Sequence, residues 1–258
     1  MSRLTPSRIL APVTLGLLLL LAACSDSDSG QYNLVTDGHL TVCTDAPYEP
    51  FEFQAEDGSW SGFDMDILRA LAAALELELT VKVVPFDGIW LLPAAGDCDI
   101  VGSAMTITPE RQQAALFSDP YFDADQSLLV RTADSSTFAT LEALAGHNIG
   151  VQTGTTGELF AQEHQPEGST LVSFDEPAAM FLALEAGDID AILQDLPVNG
   201  FRSTKDDSFV VTATFPTGEQ YGFAVDPENT ELMDAINKQL AELHTSGDYD
   251  EIHTKWFG

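Results

Sequence analysis

Basic residues are scarce in this chain. Its 258 residues include ten Lys and Arg against 41 Asp and Glu, which gives a formal net charge of −31 at pH 7. Affinity for nucleic acid depends on basic side chains that neutralise phosphates. The composition therefore argues against nucleic acid as a partner. It favours a well-solvated acidic surface, and net charge carries no information about the fold.

Histidine and cysteine are scarce as well, with five and three residues. The histidines are scattered along the chain and show none of the close spacings of metal-binding motifs, so we predict no metal site. Residues 154–157 read Gly-Thr-Thr-Gly. This segment lacks the Lys-Ser/Thr ending of a phosphate-binding loop and does not match the dinucleotide spacing, so no cofactor is expected.

Long apolar runs are missing too, except near the first residue. Residues 9–23, which follow Arg3 and Arg8, are dominated by Leu, Ala and Val, and this run is too short to span a bilayer comfortably. A basic start, a short apolar run and small residues at its end are typical of a secretion signal. We therefore predict a signal peptide at residues 1–23 and an extracytoplasmic location for the rest.

The predicted signal ends in Leu-Ala-Ala-Cys at residues 21–24, which resembles the lipobox of bacterial lipoproteins. The resemblance implies that Cys24 carries a lipid, which anchors the protein to the surface of the cell membrane. A plain signal peptide and an anchor helix are the alternatives. Cys24 is followed by Ser-Asp repeats, which have nothing to bury. Residues 24–33 are therefore predicted to be a flexible tether.

Two cysteines, Cys43 and Cys98, remain in the part of the chain that would be exported. Exported proteins reach an oxidising compartment, in which paired cysteines form disulfides. We therefore predict a disulfide between them, with two free buried thiols as the alternative.

Predicted strands alternate with predicted helices beyond the tether, which is typical of the α/β class with parallel sheets. A first series has strands at 39–44, 80–84 and 99–103 and helices at 64–74 and 87–94. A second series opens at 141–144 and has strands at 147–151, 170–174 and 191–193 and helices at 155–163, 176–186 and from 196 onwards. The second series repeats the first, so we expect two lobes, each a mostly parallel sheet flanked by helices.

Two β-rich stretches, 126–131 and 220–225, flank the second series and are the predicted hinge strands between the lobes. Two lobes joined by two strands form a hinged cleft. Open α/β sheets bind ligands beyond the carboxyl ends of their strands, so we expect a ligand site in that cleft.

The last two predicted helices, 230–243 and 248–256, have no sheet of their own and must cover the first lobe. The predicted first lobe is therefore discontinuous, with residues 34–122 and 221–258. Residues 123–220 form the predicted second lobe, with the hinge strands at its ends.

Six short motifs occur in a fixed order along the chain. They are Thr-Asp-x-Pro-Tyr-x-Pro-Phe from Thr44, Gly-Phe-Asp-x-Asp from Gly62, Met-Thr-Ile-Thr-Pro-Glu-Arg ending at Arg111, Phe-Ser-Asp-Pro-Tyr from Phe117, Val-Gln-Thr-Gly-Thr-Thr-Gly from Val151 and Lys-Trp-Phe-Gly from Lys255. Together they resemble the family 3 extracellular solute-binding proteins over about residues 34 to 258. The resemblance implies a two-lobed periplasmic-binding-protein type 2 fold and a polar amino acid as ligand.

The α-carboxylate of an amino acid needs a cation and N–H donors. Arg111 offers a planar fork, and the backbone N–H groups of Thr106, Thr155 and Thr156 offer the donors. Taken by itself, Arg111 could equally be an ordinary surface arginine. The resemblance implies that it contacts the ligand.

The α-ammonium needs acceptors, which Asp195, the Ala104 carbonyl and the Thr106 hydroxyl can supply. Asp195 directly follows a predicted buried strand. An Asp ahead of Leu-Pro is also a good helix N-cap, which is the alternative reading. The resemblance implies the ligand role.

Side-chain recognition falls to residues at other strand ends. Tyr48 and Phe86 could sandwich the ligand, and Asp45 could meet a cationic or amide end. Packing is the alternative for Phe86 and for its neighbour Trp90, and turn formation is the alternative for Asp45. Two further cleft residues lie where relatives vary with specificity, namely Ser103 and Gln152. The acid at position 45 favours a basic or amide amino acid such as arginine, lysine or glutamine.

The resemblance implies the substrate-binding component of an ABC transporter, which captures an amino acid by lobe closure and delivers it to a membrane permease. We expect a monomer and no enzymatic activity. Two alternatives stay open: a dehydratase of the cyclohexadienyl type on the same fold, and the extracellular sensor domain of a receptor. A dehydratase needs a placed general acid or base, and the cleft segments offer only Asp45 or Asp195.

Overall fold

The computed structural model describes residues 1–2 and 32–258. The lipidated Cys24, the signal peptide beyond residue 2 and most of the tether were predicted for residues that lie outside this part. The described elements are, in chain order, β1 (His39–Thr44), β2 (Phe53–Gln54), β3 (Trp60–Ser61), α1 (Phe63–Ala74), β4 (Glu78–Val83), β5 (Ile100–Val101), β6 (Leu116–Phe117), β7 (Phe122–Arg131), β8 (Asn148–Gln152), α2 (Thr156–His164), β9 (Thr170–Phe174), α3 (Pro177–Ala186), β10 (Ala191–Asp195), α4 (Leu196–Lys205), β11 (Phe209–Tyr221), β12 (Ala224–Val225), α5 (Thr230–Ser246) and α6 (Asp248–Phe257).

The first sheet has the strand order β4-β1-β5-β12-β6, and we call the part of the molecule built around it the first lobe. β1 alternates between two faces, because Leu40 and Val42 belong to one apolar cluster and Cys43 to another. Helix α1 buries Ile67 and Leu71 against the first of these clusters. This spacing of four residues places both side chains on one face of the helix.

The second sheet has the order β11-β7-β10-β8-β9 and forms the second lobe. β10 is buried along its whole length. Leu193 packs into the cluster on one face, and Ile192 packs into the cluster on the other face. A strand covered on both faces needs apolar side chains on both, which is why β10 begins with three consecutive apolar residues before it ends in Gln194 and Asp195.

Both sheets are mixed, which corrects the prediction that they are mostly parallel. β1 runs parallel to β4 and β5, whereas β12 runs antiparallel to β5 and β6. In the second sheet β8 runs parallel to β9 and β10, whereas β7 runs antiparallel to β10 and β11. Parallel neighbours need a long crossover, usually a helix, whereas β12 enters the first sheet directly from the lobe-crossing strand β11, so no such crossover holds it parallel to β5.

The strands that pass between the lobes are β7 and β11, which pair antiparallel from Phe122 opposite Tyr221 to Arg131 opposite Phe209. The predicted crossing at 126–131 lies inside β7. The predicted crossing at 220–225 is divided, because β11 ends at Tyr221 and β12 belongs to the first sheet. Gly222 lies at the break, where a β-carbon would come within 2.8 Å of the Ile107 side chain.

Helices α5 and α6 pack on the first lobe. Leu232 and Ile236 of α5 join its main apolar cluster, and Trp256 and Phe257 of α6 pack against it. The Phe257 ring lies 5.6 Å from that of Phe51, between ring centres. The end of the chain therefore completes the core that the first half of the chain begins.

The predicted short helix at 87–94 is reduced to a 3₁₀ turn at Ile89–Leu91. A disulfide joins Cys43 to Cys98 within the first lobe and closes a separation of 55 residues. Among the described residues, no helix has the length and apolar character needed to cross a membrane. The same part of the chain contains no cluster of metal-ligating side chains.

Candidate functional site

One cavity lies between the lobes, near the carboxyl ends of β1, β8 and β10. The structure brings all eleven residues proposed from the sequence around this cavity, and their role as ligand contacts stays a prediction. The lining residues are Asp45, Tyr48, Phe86, Ser103, Ala104, Thr106, Arg111, Gln152, Thr155, Thr156 and Asp195.

Arg111 is a buried cation, with only 4% of its surface exposed. Its Nη1 donates to the Thr106 carbonyl at 2.7 Å, and its Nη2 donates to the Gly154 carbonyl at 3.1 Å. The guanidinium carbon lies 5.2 Å from the Phe86 ring centre and 5.0 Å from the Trp90 ring centre. Burial lowers the pKa of Arg111 to about 10, against the opposing effect of nearby carboxylates. The alternative of an ordinary surface arginine is therefore wrong.

Backbone donors lie beside this cation. Thr155 caps helix α2, and its hydroxyl accepts from the Glu158 N–H at 3.1 Å. Thr156 is the first residue of that helix, where the N–H has no acceptor within the helix and the helix dipole is positive. Arg111 and the start of α2 together form a corner that suits a carboxylate.

Asp195 ends β10 and carries a buried carboxylate that is 7% exposed. Its oxygens accept from Tyr48 Oη at 3.0 Å, from Gln126 Nε2 at 2.6 Å and from Tyr221 Oη. Its side chain makes no capping bond to α4, which disfavours the N-cap reading. Burial, followed by the charge of Glu219, raises the pKa of Asp195 to about 6.

A second acidic group, Asp45, lines the same cavity. Its Oδ2 accepts from Gln152 Nε2 at 2.6 Å, and its backbone N–H donates to Ser103 Oγ at 2.9 Å. Ser103 in turn donates to the buried Glu52 at 2.9 Å. Burial raises the pKa of Asp45 to about 6, Gln152 opposes this, and the charge of Glu176 adds to it. The result is a polar group suited to a cationic or amide partner.

Ala104 has a strained backbone, with φ at 44°. Its N–H donates to Asp64 Oδ2 at 2.9 Å, and the same oxygen accepts from Tyr121 Oη at 2.7 Å. A left-handed alanine costs free energy and persists only where its surroundings hold it in place, and such residues cluster at binding sites. The buried Asp64 thus fixes the loop that carries Ala104 and Thr106 into the cavity.

The aromatic predictions separate into two kinds. Tyr48 and Phe86 line the cavity and are nearly buried. Trp90 does not line it, but packs against Arg111 and the apolar cluster below, as its packing alternative supposed.

The two lobes contact each other directly across the cavity. Asp45 of the first lobe bonds Gln152 of the second, and Arg111 of the first lobe bonds the Gly154 carbonyl of the second. A β-carbon on Gly154 would lie 2.7 Å from Asp87 of the first lobe. Glycine at this position therefore permits the close approach of the lobes.

Sequence reasoning missed two polar residues on the hinge strands, Gln126 of β7 and Glu219 of β11. Gln126 is fully buried and bonds Asp195, and Glu219 bonds two threonines that line the cavity. Gln126 lies within β7, two residues before the apolar run Leu128–Val130, and a polar residue so close to an apolar run was a usable signal. Glu219 lies among polar neighbours in the sequence and offered no such signal.

The lining residues include no histidine, cysteine or lysine. The carboxylates of the cavity belong to Asp45 and Asp195, and each already accepts hydrogen bonds from neighbouring side chains. The site is equipped to bind charged groups of opposite sign.

Comparison with known proteins identifies the family of this chain. Residues 40–258 match the bacterial extracellular solute-binding proteins, family 3, and the chain belongs to that family. Members of this family are extracellular or periplasmic binding proteins.

Particular relatives include the L-cystine-binding protein TcyJ of Escherichia coli, 29% identical over 97% of this chain and 94% of its own. The ABC transporter arginine-binding protein 1 of the same organism is 33% identical over 82% of this chain and 88% of its own. Among solved structures, an ancestral arginine-binding protein bound to arginine is 36% identical, with a TM-score of 0.80 over 86% of this chain and 99% of that one. The predicted two-lobed α/β fold is confirmed, and these relatives are named as binding proteins.

Proposed function

We propose that this protein is the substrate-binding component of an ABC transporter and that it captures a free amino acid between its lobes. The observation that carries the proposal is a buried guanidinium and a buried carboxylate, which face one cavity from opposite lobes. Arg111 belongs to the first lobe and Asp195 to the second. Opposite charges held apart in this way complement a zwitterion.

The α-carboxylate of the ligand would bind at Arg111. The guanidinium is desolvated and its present acceptors are neutral carbonyls, so an anion would gain a charge-assisted bond there. The N–H groups of Thr106 and Thr156 would complete its coordination. The α-ammonium would bind Asp195, the Ala104 carbonyl and the Thr106 hydroxyl.

The ligand that the site favours is a basic amino acid, with arginine first and an amide amino acid such as glutamine second. Asp45 offers a carboxylate for a cationic side chain, and Gln152 offers an amide beside it. Tyr48 and Phe86 add aromatic surface to the same cavity. Relatives named for arginine binding and an ancestral protein bound to arginine support this choice.

Capture follows from closure of the lobes about β7 and β11. A ligand that contacts both lobes stabilises the closed state, because the open state offers it only half of these partners. A lipid on Cys24 would hold the monomeric protein at the outer face of the membrane, beside the permease that receives the ligand. The Leu-Ala-Ala-Cys string at residues 21–24 supports this part of the proposal.

A thermal-shift screen of the twenty amino acids tests the function, since a ligand that binds only the folded state raises the melting temperature. L-Arginine should give the largest shift. Calorimetry should then show agmatine, which lacks the carboxylate, binding at least about a hundredfold more weakly, because it leaves Arg111 without an anion. The proposal fails when no amino acid shifts the melting temperature, or when agmatine binds as well as arginine.

A further inference from the structure

Glu219 lies on the hinge strand β11, next to the cavity but not among the residues that line it. Its Oε2 accepts from the hydroxyl of Thr106 at 2.9 Å and from the hydroxyl of Thr156 at 2.5 Å. Its Oε1 accepts from Gln126 Nε2 at 3.1 Å. One carboxylate therefore meets a residue of the first lobe, a residue of the second lobe and both hinge strands.

These bonds fix the direction of two hydroxyl hydrogens. A threonine hydroxyl has one hydrogen to donate, whereas an ionised carboxylate can only accept. Thr106 and Thr156 must each therefore supply the hydrogen in their bond with Glu219. Each hydroxyl oxygen is left with lone pairs alone for any other partner.

The two oxygens lie 3.3 Å apart, and both threonines line the cavity. With both hydrogens directed at Glu219, neither oxygen can donate to the other. They form a pair of acceptors: Thr156 Oγ1 already accepts from Gln126 Nε2 at 3.5 Å, and each oxygen keeps a lone pair for a further N–H donor. Without Glu219, each hydroxyl could rotate and present its hydrogen instead, which would suit an anion.

Gln126 connects Glu219, which orients the two threonines, to Asp195 of the site. Its Nε2 donates to Asp195 Oδ1 at 2.6 Å as well as to Glu219. Asp195, Gln126 and Glu219 thus form one hydrogen-bond network. The oxygens that face the cavity from it are those of Asp195 and of the two threonines bonded to Glu219, and all of them are acceptors.

We propose that Glu219 is a positioning residue for the α-ammonium group, which turns the hydroxyls of Thr106 and Thr156 into acceptors. This inference rests on the proposed function. Its consequence is selectivity: Glu219 favours a zwitterionic amino acid over the same molecule without its amino group. A residue that merely stabilised the hinge would weaken both ligands equally.

The test measures affinity by calorimetry for two matched pairs, L-arginine with 5-guanidinopentanoate and L-glutamine with glutaramate. The second member of each pair lacks only the α-amino group. In Glu219→Gln, the affinity for the amino acid should fall about tenfold or more, which is typical of a lost bond to a charged group. The affinity for the deaminated acid should change less than about threefold. Equal weakening of both, or no change in either, overturns the inference.

A double-mutant cycle shows whether Glu219 acts through a hydroxyl. Thr106→Val keeps the shape of the side chain and its backbone N–H but removes the hydroxyl, and it should reproduce the selective loss. Because the acceptor that Thr106→Val removes is one of the two that Glu219→Gln affects, the double variant should lose no more than about twofold beyond the larger single loss. Fully additive losses overturn the inference. The single Thr106→Val variant keeps the test decisive when Glu219→Gln fails to fold.

Glu228→Gln is the matched control, since Glu228 is an exposed acid in the turn before α5. It removes the same charge and should leave all four affinities unchanged within about twofold, as expected for a screened surface charge. A comparable selective loss in this control overturns the inference, because the net charge would then be the cause. When wild-type protein binds no amino acid, the proposed function itself fails. When wild-type protein binds and only the selectivity is missing, this inference alone fails.

Discussion

Replacing Arg111 with methionine should weaken ligand binding far more than it weakens the fold. The guanidinium is almost fully buried, and its two hydrogen-bond acceptors are neutral carbonyl oxygens. Its pKa falls from 12.5 to about 10 on folding, which corresponds to a penalty on the charged form of about 3 kcal/mol. Methionine has a similar reach and removes this penalty.

The losses on the other side are of similar size. Methionine gives up the contacts with Phe86 and Trp90, at about 0.5 to 2 kcal/mol each. It also leaves the carbonyls of Thr106 and Gly154 without a donor, at about 1 kcal/mol each. The free energy of unfolding should therefore fall by no more than about 3 kcal/mol, or roughly 6 to 12 °C in melting temperature.

Binding does not share this compensation, because the ligand carboxylate would be buried without a cation. Such a loss costs about 2 to 5 kcal/mol, or about thirtyfold to several thousandfold in affinity. Calorimetry with L-arginine and thermal melts of the ligand-free protein measure the two effects separately. Arg69→Met, on an exposed helix surface, is the charge-matched control and should keep full affinity. A loss of affinity below tenfold, or a fall in melting temperature well beyond about 12 °C, would refute the reasoning.

Two further predictions concern pH and the disulfide. Asp195 and Asp45 both have a pKa raised to about 6, and the ligand needs them ionised, so affinity for L-arginine should be constant above pH 7 and fall about tenfold or more per unit below pH 6. Calorimetry between pH 4.5 and 8 measures this, and a flat profile would contradict the assigned roles. Replacing Cys43 and Cys98 together with serine should lower the free energy of unfolding by about 4 kcal/mol, because the bridge closes a long loop. Urea titration of both proteins checks it, and equal midpoints would count against the bridge.

Sequence reasoning predicted the α/β class because strands and helices alternate along the chain. It predicted the residues that line the cavity because most of them follow the ends of those strands. Arg111 ends one of the family motifs and Asp195 follows the predicted strand at 191–193, and open α/β sheets bind ligands beyond the ends of their strands, so both were expected in one cleft. The mixed character of the sheets was missed, since β12 has only two residues. Whether it joins β5 parallel or antiparallel is decided by the tertiary fold. Local pattern carries no information about that choice.

The helix predicted at 87–94 shows a second limit. The sequence there has apolar residues at helical spacing, but Pro93 and the left-handed Gly88 restrict the regular turn to Ile89–Leu91. Glu219 shows a third limit, because its importance comes from Thr106 and Thr156, which lie far from it along the chain. Such a group becomes visible only when the hinge strands bring its partners together.

The lobes hold one another with the same groups that would hold a ligand, through Tyr48 with Asp195, Asp45 with Gln152 and Arg111 with the Gly154 carbonyl. These bonds between the lobes therefore compete with a ligand for the same groups. If the self-bonded form outnumbers the open form nine to one, the apparent dissociation constant rises about tenfold above its intrinsic value. Capture strength can therefore be tuned by residues that strengthen or weaken this self-bonding, without altering any atom that touches the cargo.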